Sequence, residues 1–272
     1  MTQPDSNATL TPRPAATVAL VREAGDDFEV LMVQRNLESV FVAGAYVFPG
    51  GAVDAADHGA EMQALCRGVN DESASRSLNL PSGGLAYLVA AIRECFEECG
   101  LLLAYAADDE LVELDAAPVA QRYADYRNAI YDSEESFFGM CSRERLRLAA
   151  DRLTYFGHWI TPAGAPRRYD TRFFFALAPR RQQPLHDERE TIAHAWLTPR
   201  QALERHRSGA IKMRGPTVKT LEMFARAGGL GKLIESLRAP REIPTIRPVY
   251  TRNGWLVPGD PGYEQAIGVE PR

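Results

Sequence analysis

The chain has 272 residues, 45% hydrophobic and 25% charged, with a net charge of -5, enough apolar content to bury one sizeable core as an elaborated domain or a domain with appendages. Lys and Arg are scattered, so there is no basic field for a nucleic acid, and no apolar run is long enough to span a bilayer or to act as a secretory signal. The expectation is a soluble, cytoplasmic protein acting on a small molecule, with homodimer formation left open.

Residues 1–13 are rich in Pro, Thr and Ser and are expected to form a disordered leader. Apolar runs over 15–21 and 28–34 flank Glu23-Ala24-Gly25-Asp26-Asp27 and predict a β-hairpin. A further strand over 46–48 ends at Pro49-Gly50-Gly51, where two glycines suit a sharp turn and close approach of the backbone to another group. Residues 54–84 hold Gly, Ser, Asn and Asp with little periodicity beyond a short helix at 61–66, and read as an insertion loop. A helix is predicted over 85–106, and helical patterns over 117–131 and 142–153 predict a second, mainly helical insertion.

Strands are predicted over 154–160, 169–177 and 191–197, the second with the aromatic run Phe173-Phe174-Phe175. Thr198 and Pro199 have the N-cap and first-turn chemistry of a helix that runs to about His206. Gly215-Pro216-Thr217 opens another helix reaching Ala227, and a short one follows Gly228-Gly229. Residues 239–272 form a Pro and Gly-rich tail that could cover a site, pack on the domain or mediate dimer contacts. Interleaved strands and helices predict an α/β sandwich around a mixed sheet. The four cysteines have neither zinc spacing nor a disulfide framework. Cys95 and Cys99 lie one helical turn apart and read as small buried side chains.

The most informative stretch is Arg93-Glu94-Cys95-Phe96-Glu97-Glu98-Cys99-Gly100-Leu101. On a helix, Glu94, Glu97 and Glu98 share one arc while Ile92, Phe96, Cys99 and Leu103 form an apolar stripe opposite. Like charges at these spacings repel by roughly 0.2–0.5 kcal/mol per pair, so a partner outside the helix is expected. A hard divalent cation is one such partner; the other reading is a solvated acidic face.

With Phe48-Pro49-Gly50-Gly51 upstream, this stretch resembles the signature of the Nudix hydrolases: Gly, five residues, Glu, seven residues, then Arg-Glu, an apolar residue, any residue, Glu-Glu, any residue, Gly and an apolar residue. The second half matches at Arg93, Glu94, Cys95, Glu97, Glu98, Gly100 and Leu101. Counting back from Arg93 puts Leu85 at the first Glu, and Gly51 lies far upstream, so an insertion of about twenty residues or more splits the motif. Asp54, Glu61, Asp71 and Glu72 are the candidates to replace the missing carboxylate.

The resemblance implies a Nudix-type α/β/α sandwich spanning 14–238, with a loop insertion inside the Nudix box at about 54–84 and a helical insertion after it at about 106–153. It implies metal-dependent hydrolysis of a diphosphate with Mg²⁺ or Mn²⁺. Glu94 and Glu98 would be the main metal ligands, Glu97 would contribute a ligand or a water contact, and Gly51 would bring backbone close to the metal. Arg93 would orient the carboxylates by ion pairing. The general base would be Glu190, ranked above Glu188, from the loop before the last strand. The alternative class is a Nudix-fold binding or regulatory module that has lost catalysis, supported only by Leu85.

Arg35-Asn36-Leu37, the 40–54 segment, Trp159-Ile160-Thr161-Pro162 and Tyr169-Asp170-Thr171-Arg172-Phe173-Phe174 resemble the coenzyme A diphosphatase branch, which includes a mammalian peroxisomal enzyme. The chain ends Glu-Pro-Arg, which is not a peroxisomal address. Coenzyme A or acyl-coenzyme A is therefore the expected substrate, with NADH or ADP-ribose as alternatives. Arg35, Arg167, Arg168 and Arg172 are candidates for its phosphates, and Phe41, Phe173 and Phe175 for its pantetheine, although the arginines read first as solvated and phenylalanines alternating along a strand read first as core.

Overall fold

A computed structural model describes residues 10–36, 43–185, 191–251 and 254–267. The chain opens with β1 (Arg13–Ala24) and β2 (Asp27–Arg35), a hairpin turned at Gly25 with φ +61°, followed by the short strands β3 (Ala45–Val47) and β4 (Gly50–Ala52). The segment read as an insertion loop holds helix α1 (Ala60–Ala64), close to the short helix expected at 61–66, and a second helix, α2 (Asp71–Ser77), that was not expected and is started by an Asn70 and Ser73 capping box. The α2 pattern is too short to register as periodicity, yet Ala74 and Leu78 are buried in the core, as is Met62 of α1.

Helix α3 (Gly84–Cys99) carries the carboxylates. It stops at Gly100, whose φ of +69° is the left-handed conformation that favours glycine at a helix end, and not at 106 as the apolar run suggested. Residues 101–105 continue as buried extended chain into β5 (Ala104–Tyr105), so their apolar character reflects depth in the core and not helical periodicity. Helix α4 (Ala117–Tyr131) matches expectation. The next helix, α5 (Phe137–Arg143), lies earlier than predicted and gives way to β6 (Arg147–Leu148), which pairs with β5.

The remaining strands are β7 (Thr154–Ile160), β8 (Tyr169–Leu177) and β9 (Thr191–Leu197), with the bounds expected from the sequence. Helix α6 (Pro199–Arg207) is capped by Thr198 and Gln201, and β10 (Lys212–Met213), α7 (Gly215–Arg226) and α8 (Leu230–Arg238) follow. The tail is structured within its described residues. Strand β11 (Thr245–Ile246) pairs with β7, β12 (Val249–Thr251) and β13 (Gly254–Leu256) form a hairpin, and α9 (Tyr263–Ala266) closes it.

The main sheet runs β10-β3-β2-β1-β8-β7-β11, with β4 pairing β1 and β9 pairing β2. It is mixed, since β1 and β8 are parallel while β1 and β2 are antiparallel. Because strand side chains alternate, each face has its own core. One packs Val18, Leu20 and Phe174 against α3 and the helical insertion; the other packs Val21, Phe175 and Phe28 against α7 and α8. This α/β/α sandwich buries α3 nearly all round and aims Glu94 and Glu98 at the glycines that turn the chain into β4.

Candidate active site

The glycine turn and α3 meet closely. Gly50 N–H donates to Glu98 Oε2 at 2.9 Å, and the Glu94 carboxylate rests on Gly51 with no room for a Cβ there. Glu98 is only 3% exposed, so the predicted acidic face is not solvated. Its partners include Arg35, whose Nη1 stands 3.9 Å from Glu98 Oε1, and the Glu98 carbonyl accepts from Thr191 Oγ1 at 2.9 Å. That last bond ties the first residue of β9 to the last turn of α3. Glu190 and Glu188 lie outside the described residues, as does Phe41.

Arg93 is the hub. Its Nε and Nη2 donate to the two oxygens of Asp57, each at 2.9 Å. Nη1 donates to Glu94 at 2.9 Å and Glu97 at 3.0 Å, and Nη2 also reaches the Ala52 carbonyl. Burial alone would lower the Arg93 pKa, but the Asp57 hydrogen bonds and the surrounding carboxylates raise it well above its usual value. Burial pushes the Glu97 carboxyl up, against the pull of Arg93, and the nearby charges of Asp57 and Asp54 add to the rise.

Asp57 is the residue that sequence reasoning missed. It is fully buried and follows Gly51 after five intervening residues, the spacing of the family's first Glu, so counting forward from the glycine finds it. Counting back from Arg93 finds Leu85, which is 1% exposed and belongs to the core. The proposed substitutes do other things. Asp54 comes within 3.6 Å of Arg93, is 56% exposed, and donates its N–H to Asp57 Oδ2. Asp71 accepts from Gly83 and Leu85 N–H at the start of α3, Glu72 pairs with Arg76, and Glu61 is exposed.

The carboxylates border a cavity of about 1260 Å³ that Arg35 and Arg167 also line. Arg172 is not part of it. It is 3% exposed, is paired with Asp170 and His158, and lies over the Tyr87 ring, because its position in β8 turns it to the α3 side of the sheet. Arg168 is spent on the Thr161 and Leu10 carbonyls, and Phe175 is core; Phe173 is core and also reaches the cavity. Arg127 of α4 donates to the carbonyls of Glu97 and Leu185, pinning the helical insertion to the last turn of α3. The thiols of Cys95 and Cys99 are buried 3.7 Å apart in the core, as the apolar stripe predicted.

Among the described residues, no three His, Cys, Asp or Glu side chains stand as a ready-made metal cluster. The donors that face the glycine turn, Glu94 and Glu98, are hard oxygens. Such a set fits a cation of the Mg²⁺ type, which takes few carboxylates and keeps several waters, and not a softer ion that needs a full protein cage. No helix in the described residues is long and apolar enough to cross a membrane.

Comparison with known proteins agrees with this geometry. The NUDT19 Nudix domain family model matches residues 69–224. An acyl-coenzyme A diphosphatase NUDT19 of Gallus gallus is 30% identical over 225 residues, which are 70% of this chain and 59% of that protein. The Homo sapiens protein of the same name is 27% identical over 282 residues, 88% of this chain and 73% of that one. The chain thus spans about three fifths of the chicken relative's length and about three quarters of the human one's. A crystal structure of a Nudix hydrolase from Alicyclobacillus acidocaldarius aligns with a TM-score of 0.69 at 26% identity, covering 86% of this chain and 100% of that one. With the split signature closed by Asp57 and the family model matching more than half its length, the chain belongs to the Nudix hydrolases, in the NUDT19 Nudix domain family.

Proposed function

We propose that the protein hydrolyses the diphosphate linkage of a nucleoside diphosphate derivative, with coenzyme A or an acyl-coenzyme A as substrate and Mg²⁺ or Mn²⁺ as cofactor. The observation that carries this reading is the convergence of Glu94 and Glu98 on the Gly50-Gly51 turn at the wall of a cavity large enough for such a molecule. The names of the chicken and human relatives favour coenzyme A esters. Asp57 removes the main support for a catalytically inert module, since the carboxylate missing at Leu85 has a replacement.

Glu94 and Glu98 would hold the cation, with Glu97 beside them. When bound, it neutralises charge on the diphosphate oxygens and lowers the pKa of coordinated water. Arg93 positions the acidic side chains and spends its donors on protein oxygens, so it does not bind substrate. Arg35 stands 3.9 Å from Glu98 and lines the cavity, and its buried Nε has no hydrogen-bond partner among the described residues, which suits a phosphate oxygen. Glu190 is assigned as general base because its neighbour Thr191 is tied to α3 at Glu98.

The test is incubation with coenzyme A, acyl-coenzyme A, NADH and ADP-ribose, each with Mg²⁺ or Mn²⁺, with products identified by mass. Adenosine 3′,5′-bisphosphate and phosphopantetheine are expected from coenzyme A, and Glu98→Gln is expected to lose turnover by orders of magnitude while remaining folded. No hydrolysis by the wild type across the panel would overturn the reading.

A further inference from the structure

The cavity extends beyond the carboxylates to a wall that lies outside the Nudix box. Trp159 at the end of β7 and Trp255 in β13 stand with ring centroids 6.1 Å apart and planes at 49°, and both border the cavity. Trp255 comes from the C-terminal hairpin and lies on the first turn of α7. A Cβ built at Gly215 would fall 1.6 Å from Cζ2 and 1.7 Å from Cη2 of the indole, so the ring fills the space a side chain would take. Tyr250, opposite Trp255 in the hairpin ladder and 51% exposed, borders the same cavity.

An indole seated on backbone, with a second indole beside it, is a rigid face. Such a face favours a planar ring, whose stacking needs no further ordering of the protein, over a flexible chain. Two exposed arginines, Arg167 and Arg214, border the cavity as well and can meet phosphates carried on a nucleoside. The helical insertion lines the cavity with the apolar Ile130, Phe137 and Phe138 alongside the polar Asn128 and Ser136, while Arg127 there is committed to backbone carbonyls. The cavity therefore has an aromatic, cationic part suited to a nucleotide and an apolar part suited to an acyl or pantetheine chain.

We propose that Trp255, backed by Trp159, is the stacking surface for the substrate's nucleobase, which makes the C-terminal hairpin a specificity element of the site. The proposal rests on the reading of the site as a nucleoside diphosphate hydrolase, but binding tests it independently of turnover.

Adenosine 3′,5′-bisphosphate is titrated into the full chain with tryptophan fluorescence and calorimetry as readouts, and 4′-phosphopantetheine serves as the ring-free control. The nucleotide is expected to quench and phosphopantetheine is not. Trp255→Leu is expected to weaken nucleotide affinity about tenfold and to raise KM for coenzyme A by a similar factor with kcat retained. Gly215→Ala, which displaces the indole without deleting it, should do the same, and Glu98→Gln should keep the quench. Unchanged nucleotide affinity in Trp255→Leu, with coenzyme A still hydrolysed, overturns the stacking surface and leaves the hydrolase standing. Nucleotide affinity lost in Trp255→Leu, in a protein whose wild type hydrolyses no diphosphate, upholds the surface and overturns the hydrolase. Equal loss of nucleotide and phosphopantetheine affinity is general damage to the cavity and counts against the proposal.

Discussion

The Glu94 carboxylate lies so close to Gly51 that a Cβ at residue 51 would stand 2.4 Å from its carboxyl carbon and 2.5 Å from each oxygen. The side chain of a metal-ligand candidate thus occupies the volume that any residue but glycine would claim. Gly51→Ala must push Glu94 aside, and a displacement on the order of 1 Å in such a site costs about 100-fold in rate. The expected result is that loss in kcat/KM on coenzyme A, with a urea unfolding midpoint that moves much less than activity does. Unchanged kcat/KM would show that the position of Glu94 is not critical.

Asp57→Ala removes one half of a buried bidentate pair and leaves Arg93 facing too few acceptors. Breaking a buried pair from one side costs about 3–5 kcal/mol, so the variant should unfold at markedly lower urea and lose activity with it. Asp57→Glu restores the family's usual residue type and should recover part of the activity. A full-strength Asp57→Ala enzyme would remove Asp57 from the site.

Asp71 makes a different kind of contribution, to the start of α3. Burial alone would raise its pKa, but hydrogen bonds from Leu85 N–H, Gly83 N–H and Ser75 hold the carboxyl below its ordinary value. A depressed folded-state pKa means stability that is present above the unfolded value near 4 and is lost as pH falls through the folded one. Asp71→Ala should cost about 1 kcal/mol at neutral pH, as loss of a helix cap does, and the gap from wild type should close as pH falls through the depressed folded-state value. A gap that persists in acid would point to packing and not to the carboxylate.

Burial pushes the thiols of Cys66 and Cys141 up to about 12, and burial raises Cys95 as well, with Cys99 beside it adding to the rise. At pH 8 only about one Cys66 or Cys141 thiol in ten thousand is ionised, and the thiolate is the reactive form. An aromatic disulfide reagent should label none of these three rapidly in native protein and all of them in denaturant. Fast native labelling would show that the core opens on the experimental timescale.

The strands from β7 to β9 were legible because β-branched and aromatic residues run through them between polar and Pro-containing segments, and the α6 start was legible because Thr198 and Pro199 each have a distinct job there. Leu101 to Tyr105 misled because an apolar run buried on all sides carries no period, so only Gly100 marked the helix end. Within the site, Glu94, Glu97 and Glu98 came from one contiguous segment, whereas Asp57 lies 36 positions from Arg93 and is short by one methylene of the residue sought. Arg172 misled in the opposite direction. A charged residue on a strand reads as exposed unless its counter-charges, here Asp170 and His158 with Thr245 behind, can be foreseen.

The Asp57–Arg93 pair closes a loop of 35 residues where the uninterrupted signature has seven. The entropy of closing a flexible loop grows only with the logarithm of its length, so this fivefold extension costs at most about 1.4 kcal/mol, before the packing of α1 and α2 offsets it. A signature of this kind is therefore held by a clasp between its ends and not by its spacing along the chain. The interval between the clasped residues is free to grow, and a search that demands fixed spacing will pass over chains whose chemistry is complete.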